Sequence, residues 1–437
     1  MRRSFRPPTR LAAVVPAAVA SALAVSACGP APDAGLVVSD VGRNGVTVAD
    51  TASVDDVVAA TQRLGLTMLD PTTGGDTVGQ CAPSDQVAPV NVVSPASLAV
   101  ALAMLAEGAE GHTAQELDAA LGATGTERTD AYNALIAAVG EYDGDPGVAQ
   151  DDDLPERPVL HLADQVVLDD GFAAKQDYLD ALAAAFGAGV QQADLSTQDG
   201  KAVLDAWVQK HSGGLIERSA IEPDPDLRLV LQNAVVLVAG WQTPMGDPFD
   251  APFRLPDGTE VQAEAVGEGL HVARAEHDGW TAVRLPYTEG FHADVILPPE
   301  GEDPVPDDAV ATALDAALTA AEPASVQVTM PTLDIATEPV DLCPALSAAG
   351  LGGLFTDPDL NGISDKDLVI QQAAQQAVLK VDGDGTVAAA VTEIGAAVTS
   401  AEIADDTFTV DRPYTLRIAH APTGWPLFLA SISDPRH

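Results

Sequence analysis

The residues that most suggest chemistry lie near the C-terminus, and they read as a substrate rather than a catalyst. From Thr386 the chain runs Val387-Ala388-Ala389-Ala390-Val391-Thr392-Glu393, then continues through small residues to Val398-Thr399-Ser400-Ala401. A stretch this small can enter a protease cleft as extended chain. It can also become a strand, with alternate side chains on opposite faces. One face would carry Thr386, Ala388, Ala390 and Thr392, all small and uncharged. Such a face can be buried, whereas an unpaired charge there would be costly. Taken alone, residues 386–403 would equally pass as an alanine-rich helix. The stretch 386–406 contains no Lys or Arg, and no aromatic precedes Phe408. A protease cutting this stretch would therefore be neither trypsin-like nor chymotrypsin-like. Its small and β-branched residues would suit elastase-like or subtilisin-like serine proteases. Glu393 and Glu402 leave a glutamate-specific protease as a lesser option.

No enzyme motif competes with that reading. There is no G-x-S-x-G elbow, no P-loop and no H-E-x-x-H. The eight histidines form no metal-ligand pair at helical spacing. Asp357-Pro358-Asp359-Leu360-Asn361-Gly362 opens like a calcium loop, but Leu368 stands where the bidentate glutamate belongs. We expect no cofactor, no metal and no catalytic centre. Trp207 and Trp241 read as packing residues.

The elements that would carry the bait follow from composition and pattern. The 437 residues include 65 acidic and 21 basic side chains, a net charge of -44, so nucleic acid is an unsuitable partner. Arg2, Arg3, Arg6 and Arg10 precede an apolar stretch at 11–27, too short to span a membrane comfortably. It ends in Val25-Ser26-Ala27-Cys28-Gly29, which resembles a bacterial lipobox and implies lipidation of Cys28. An ordinary secretory peptide is the alternative. Arg2-Arg3-Ser4-Phe5 leaves Sec and twin-arginine export both open. We expect a signal peptide at 1–27, a tether at 28–50 and one folded domain at 51–437. The protein would be exported, either held at the outer face of the cell membrane by its lipid or extracellular. Cys81 and Cys343 then remain, as a disulfide or as two buried thiols.

Residues 54–69 have helical apolar spacing. Ser94-Pro95 is a serine cap with proline in the first turn, opening a helix that Gly108 should stop. Thr113-Ala114-Gln115-Glu116 reads as a capping box. Residues 140–158 read as an acidic surface loop, and 202–211 as a helix ended by Gly213-Gly214. The valine-rich run 229–239 reads as a strand buried on both faces. Further strands are expected at 280–286, 292–297, 325–330, 412–419 and 426–432. Helices early and strands late favour an α+β domain with large sheets.

Several segments, taken in order, resemble the serpin family. They include Ser94-Pro95-Ala96-Ser97, the run from Leu105 through Gly108-Ala109 and Gly111 to Glu116-Leu117, and Trp207-Val208 with Gly214-Leu215-Ile216. They continue with Asn233-Ala234 through Gly240-Trp241 to Pro244, Leu285-Pro286-Tyr287, Asp411-Arg412-Pro413, and Pro422-Thr423-Gly424 with Leu427-Phe428. The resemblance implies a serpin fold with an exposed reactive loop, and a monomer that traps a serine protease. It implies a hinge at Gly385, Thr386, Val387, Ala388, Ala389, Ala390, Val391 and Thr392. Family spacing from both ends puts the reactive bond at Thr399-Ser400, within 398–402. It also implies a sheet-opening region of Ser94, Ser97, Asn233, Trp241 and Gln375. The sequence departs from the family at several positions. Gln375 replaces a histidine, Tyr414 a phenylalanine and Ala430 a glycine. Gly383 replaces a glutamate, whose loss should loosen an ion pair, and Val387 also replaces a glutamate. A non-inhibitory serpin-fold binding protein at the cell surface is the alternative.

Overall fold

The computed structural model describes residues 35–70, 90–151, 153–336, 340–375, 378–386 and 406–436. Two large sheets share most of the chain. The first has seven strands, in the order β1 (Leu36–Val37), β4 (Val190–Ala193), β3 (Val159–Asp169), β5 (Leu229–Gly240), β15 (Gly385–Thr386), β14 (Val378–Val381), β11 (Leu333–Ala336). The second runs β16 (Asp406–Thr409), β10 (Ala324–Pro331), β7 (Glu260–His277), β8 (Trp280–Pro286), β9 (Phe291–Leu297), β17 (Tyr414–His420), β18 (Pro426–Ile432), β2 (Val90–Val93), with β6 (Phe249–Arg254) beside β7. A small pair joins β12 (Val340–Asp341) to β13 (Ala374–Gln375). The helices are α1 (Val54–Leu69), α2 (Pro95–Ala106), α3 (Gly111–Leu121), α4 (Gly125–Val139), α5 (Gln176–Phe186), α6 (Gln198–His211), α7 (Asp308–Ala320) and the short α8 (Cys343–Leu346).

The seven-stranded sheet is covered on both sides. Helix α2 starts where expected: the Ser94 hydroxyl accepts from Ser97 N at 3.4 Å, and Pro95 takes the first turn. All its residues are buried, as befits a helix that is apolar all round. Leu160, Val166 and Leu168 of β3, with Leu229, Leu237 and Ala239 of β5, join α2 in the main core. The alternate positions Val167 and Val230 pack instead with Leu204 of α6. The period of two thus assigns every residue of β3 and β5 either to the α2 face or to the α6 face.

Several sequence expectations need correction. The segment expected as tether docks from Gly35 onward. Leu36 and Val37 pair with Gln191 and Val190, and Asn44 N donates to Ala184 O at 2.7 Å. Backbone pairing of an edge strand needs no side-chain periodicity, so the sequence carried no sign of it. Thr113 does not cap α3, which begins at Gly111 with no side-chain cap. Its hydroxyl instead accepts from Asp359 N at 2.8 Å, holding the loop. Residues 140–158 contain two 3-10 turns, Gly140–Tyr142 and Pro146–Gln150. Gly108 follows α2 because of crowding. A Cβ there would lie 2.2 Å from Ile363 Cγ1.

Gly108→Ala should therefore destabilise the protein by about 1–3 kcal/mol, the usual range for overpacking. Gly140→Ala is the control, because nothing lies within 4 Å of its Cβ position. Thermal unfolding of both checks this, and equal midpoints would show that the Ile363 contact yields freely.

Candidate functional site

The expected hinge begins as a strand. Gly385 and Thr386 pair with Gly240 and Ala239 of β5, and Thr386 also pairs with Val381 of β14. Two residues thus form a first rung between β5 and β14. Among the described residues no ladder joins β5 to β14 directly. The β5 side chains on the α2 face beside this opening, Leu231, Asn233 and Val235, are only partly buried. A cavity of about 30 Å³, room for roughly one water, lies along this part of β5 on the α6 side, among Val208, Ile216, Ser219, Ile221 and Gln232.

Thr386 faces inward, as the alternation from sequence requires. It is 1% exposed, and its hydroxyl bonds the Tyr287 hydroxyl. Burial pushes the Tyr287 phenol above its ordinary range, so Tyr287 stays a neutral partner. Trp241 stacks on Tyr287 with centroids 4.3 Å apart and planes at 11°. Its indole Nε1 donates to Asp382 O at 2.9 Å, and its backbone N donates to Asp384 O at 2.8 Å. Met245 N donates to Gly383 O at 2.7 Å. Asp382 Oδ1 accepts from Asp384 N and Gly385 N at 2.9 and 3.0 Å, closing the turn into the hinge. Burial raises the Asp382 pKa, against these two hydrogen bonds. Among the described residues neither Asp382 nor Asp384 forms an ion pair. The base of the loop is held by backbone hydrogen bonds and an indole instead. A side chain at Gly383 would meet Met245 O at 2.3 Å, so the glycine permits this close approach.

The other sheet-opening residues lie on the α2 face. Ser94 N donates to Gln375 Oε1 at 2.8 Å, and Gln375 Nε2 donates to Ser94 O at 3.1 Å. The same Nε2 reaches Asn233 Oδ1 at 3.4 Å. Glutamine thus supplies the acceptor and donor that clamp Ser94 and contact β5. Ser97 is brought close but not joined, for its hydroxyl is buried without a partner. The amide satisfies the Ser94 backbone first, which sequence reasoning did not foresee.

The remaining expectations fall mostly outside the described residues. Val387, Ala388, Ala389, Ala390, Val391, Thr392, Thr399, Ser400, Cys28 and Cys81 all lie there. Cys343 is disulfide-bonded. The chief described cluster of possible metal ligands is His292, Asp294 and Asp315. Arg284 and Arg417 occupy it, donating to Asp294 at 2.7 and 2.9 Å and to Asp315 at 2.6 and 3.1 Å. Two guanidinium groups already neutralise the acids, so the donor set suits a structural ion network and not a metal.

The family model described as Serpin (serine protease inhibitor) matches residues 83–435. The chain belongs to the serpin family. Serpins are in general protease inhibitors rather than enzymes. Iripin-8 of Ixodes ricinus is 27% identical over 357 residues, covering 78% of this chain and 87% of that protein. Alpha-2-antiplasmin of Bos taurus is 28% identical over 357 residues, covering 79% and 67%. Among solved structures, the thermophilic serpin tengpin in its native state matches with a TM-score of 0.74 at 19% identity, over 91% of this chain and 97% of that one. Human thyroxine-binding globulin complexed with thyroxine matches with a TM-score of 0.72 at 20% identity, over 88% and 100%. These two establish that the serpin fold extends across the described chain.

Tyr287→Phe should leave the Thr386 hydroxyl buried without a partner, costing about 1–3 kcal/mol. The midpoint of thermal unfolding of the intact protein should fall accordingly. An unchanged midpoint would show that the hinge does not depend on this hydrogen bond.

Proposed function

We propose that this serpin is a suicide-substrate inhibitor of elastase-like or subtilisin-like serine proteases. The observation that carries the reading is Thr386, buried as the first rung between two strands that share no further described ladder. Continuing its antiparallel register past the hinge brings Ala388 opposite Leu237 and Ala390 opposite Val235. Thr392 then falls between Asn233 and Gln375. Each inward position is small and uncharged, and Thr392 brings a hydroxyl to the one polar row on that face. The loop is thus matched to the opening for at least three further rungs.

In this reading the protease serine attacks the Thr399 carbonyl, expels the Ser400 amine and forms an acyl-enzyme. The freed loop inserts as a new central strand, adding main-chain hydrogen bonds and apolar burial. The attached protease is carried along and distorted before water can release it. The intact protein is then metastable and held by a kinetic barrier. Fold alone does not decide between trapping and binding, since a thyroxine-binding protein shares it. The uncharged inward face of the hinge favours trapping.

The same proposal places the protein outside the cytoplasm, lipid-anchored at Cys28 or released, as a monomer. It gives Cys343 the partner Cys81, because Cys28 is committed to the lipid. Mass spectrometry of the mature, unreduced protein should find a diacylglyceryl group on Cys28 and a linked Cys81–Cys343 peptide. An unmodified Cys28, or a Cys343 linked elsewhere, would refute the corresponding part.

Ala388→Arg tests the trap better than a change at Thr386, because Thr386 already packs in the intact protein. The arginine would have to enter the buried face on insertion. A cost of several kcal/mol, about tenfold in rate for each 1.4, lets deacylation win. Wild type should form a detergent-stable covalent complex with an elastase-like or subtilisin-like protease, and its cleaved form should melt far higher than the intact one. Ala388→Arg should be cut as a plain substrate. Full inhibition by the variant would exclude strand insertion. Cleavage fragments should place the bond at Thr399-Ser400.

A further inference from the structure

His161 of β3 and His211, in the last turn of α6, are 50 residues apart, so no sequence spacing marks them as a pair. The fold joins them. Gln165 faces α6, where its partner Gln232 reaches Leu204 O, and alternation puts His161 on the same side. There His161 Nε2 lies 2.9 Å from His211 Nδ1. The two rings are nearly parallel, with planes at 6° and centroids 5.2 Å apart. On the far side of His161, Asp143 Oδ1 lies 3.0 Å from Nδ1. A carboxylate only accepts, so this contact puts the ring proton on Nδ1. In the neutral imidazole Nε2 is then left with its lone pair, directed at His211. His211 answers with Nδ1–H, and it can move that proton to its own Nε2. Trp207, one turn earlier on α6, lies against His211 with ring centroids 4.6 Å apart.

We propose that His161 and His211 form a site for a divalent transition-metal ion, Ni²⁺, Cu²⁺ or Zn²⁺, which ties the end of α6 to β3. Imidazole nitrogen suits these ions. The ion takes the place of the proton between the rings, and the His211 proton moves to Nε2. Nitrogens 2.9 Å apart, each bonded at about 2.0–2.1 Å, subtend about 90° at the ion. That is the cis angle of octahedral and square-planar ions, so Ni²⁺ and Cu²⁺ need only a turn of the rings. Tetrahedral Zn²⁺ needs the nitrogens about 0.4 Å further apart. Asp143 is a positioning residue, holding the His161 tautomer as a carboxylate does behind a metal-bound histidine. The C-terminal end of α6 favours a cation. The side chains of His161 and Asp143 are 16% and 63% exposed, so water reaches the pair and fills the other positions. At His292, Asp294 and Asp315 the acids are already held by two arginines. Here the lone pair meets only a second imidazole that can change its tautomer. Because the two ligands meet only in the folded chain, the ion stabilises the packing of α6 on β3. The site is independent of the trap reading above.

Titration of the tag-free, metal-stripped protein with Ni²⁺ and with Zn²⁺ tests the site by two signals. Each ion should raise the thermal midpoint by about 3–5 °C at about 100 times its Kd. Ni²⁺ has unpaired electrons and should quench Trp207 beside His211. Zn²⁺, with a filled d shell, should not quench, and an excess of it should restore the emission. His161→Gln and His211→Gln should each lose both the shift and the quench, read in each protein with and without metal. If His161→Gln fails to fold, His211→Gln, at a half-buried position near the helix end, decides alone. Asp143→Asn should weaken binding about 10–100-fold. No shift and no quench in wild type overturns the site, and so does a shift and quench that survive in His211→Gln. Unchanged affinity in Asp143→Asn overturns the positioning role.

Discussion

Two residues, Gly385 and Thr386, hold the middle of the seven-stranded sheet. They pair with β5 on one side and β14 on the other, and no other described strand lies between those two. Every feature around them serves that rung. Trp241 takes the Asp382 carbonyl, Met245 takes that of Gly383, and Tyr287 takes the Thr386 hydroxyl. Glycines at 383 and 385 let the turn approach backbone carbonyls that a Cβ would strike. Gly385 and Thr386, the described start of the hinge, are thereby fixed in register. A fixed register matters because a slip of one residue would turn the inward set outward.

Beside the same sheet, a second contact reaches β5 from β13 and the start of α2. Gln375 clamps the Ser94 backbone at the start of α2 and touches Asn233 of β5 across the opening. The first contact is near ideal length and the second is long. The amide is thus firmly attached to the α2 side and loosely to β5. A neutral glutamine has no charge to lose at physiological pH, unlike a histidine.

The sequence made the start of the hinge legible through a period of two. Thr386, first of the small, uncharged set, faces inward as that alternation required, and the later members of the set lie outside the described residues. The start of α2 and the course of β5 were equally legible, from a serine-proline cap and a near-continuous, valine-rich apolar run. What escaped depends on pairings between distant segments. The pairing of β3 with β5 escaped because β3 follows an acidic loop with few strand signals. The long β7 was missed because charged and glycine residues interrupt it on its solvent face. Docking of residues 35–50 escaped because backbone pairing leaves no mark in side-chain pattern. The glycine after α2 was found for the wrong reason, since crowding against Ile363 rather than helix termination demands it.

The order of strands also sets a timetable for synthesis. Adjacent strands of the seven-stranded sheet come from residues as far apart as Gly240 and Gly385. When β3, β4 and β5 have emerged from the ribosome, the partner of β5 is still many residues away. Until then β5 presents an unpaired edge rich in valine, the kind of edge that recruits strands from other chains. Contacts so distant in sequence close slowly. Newly made copies crowded together would therefore compete with each chain's own C-terminal third for the same edge, so expression rate becomes a determinant of how much monomer is recovered.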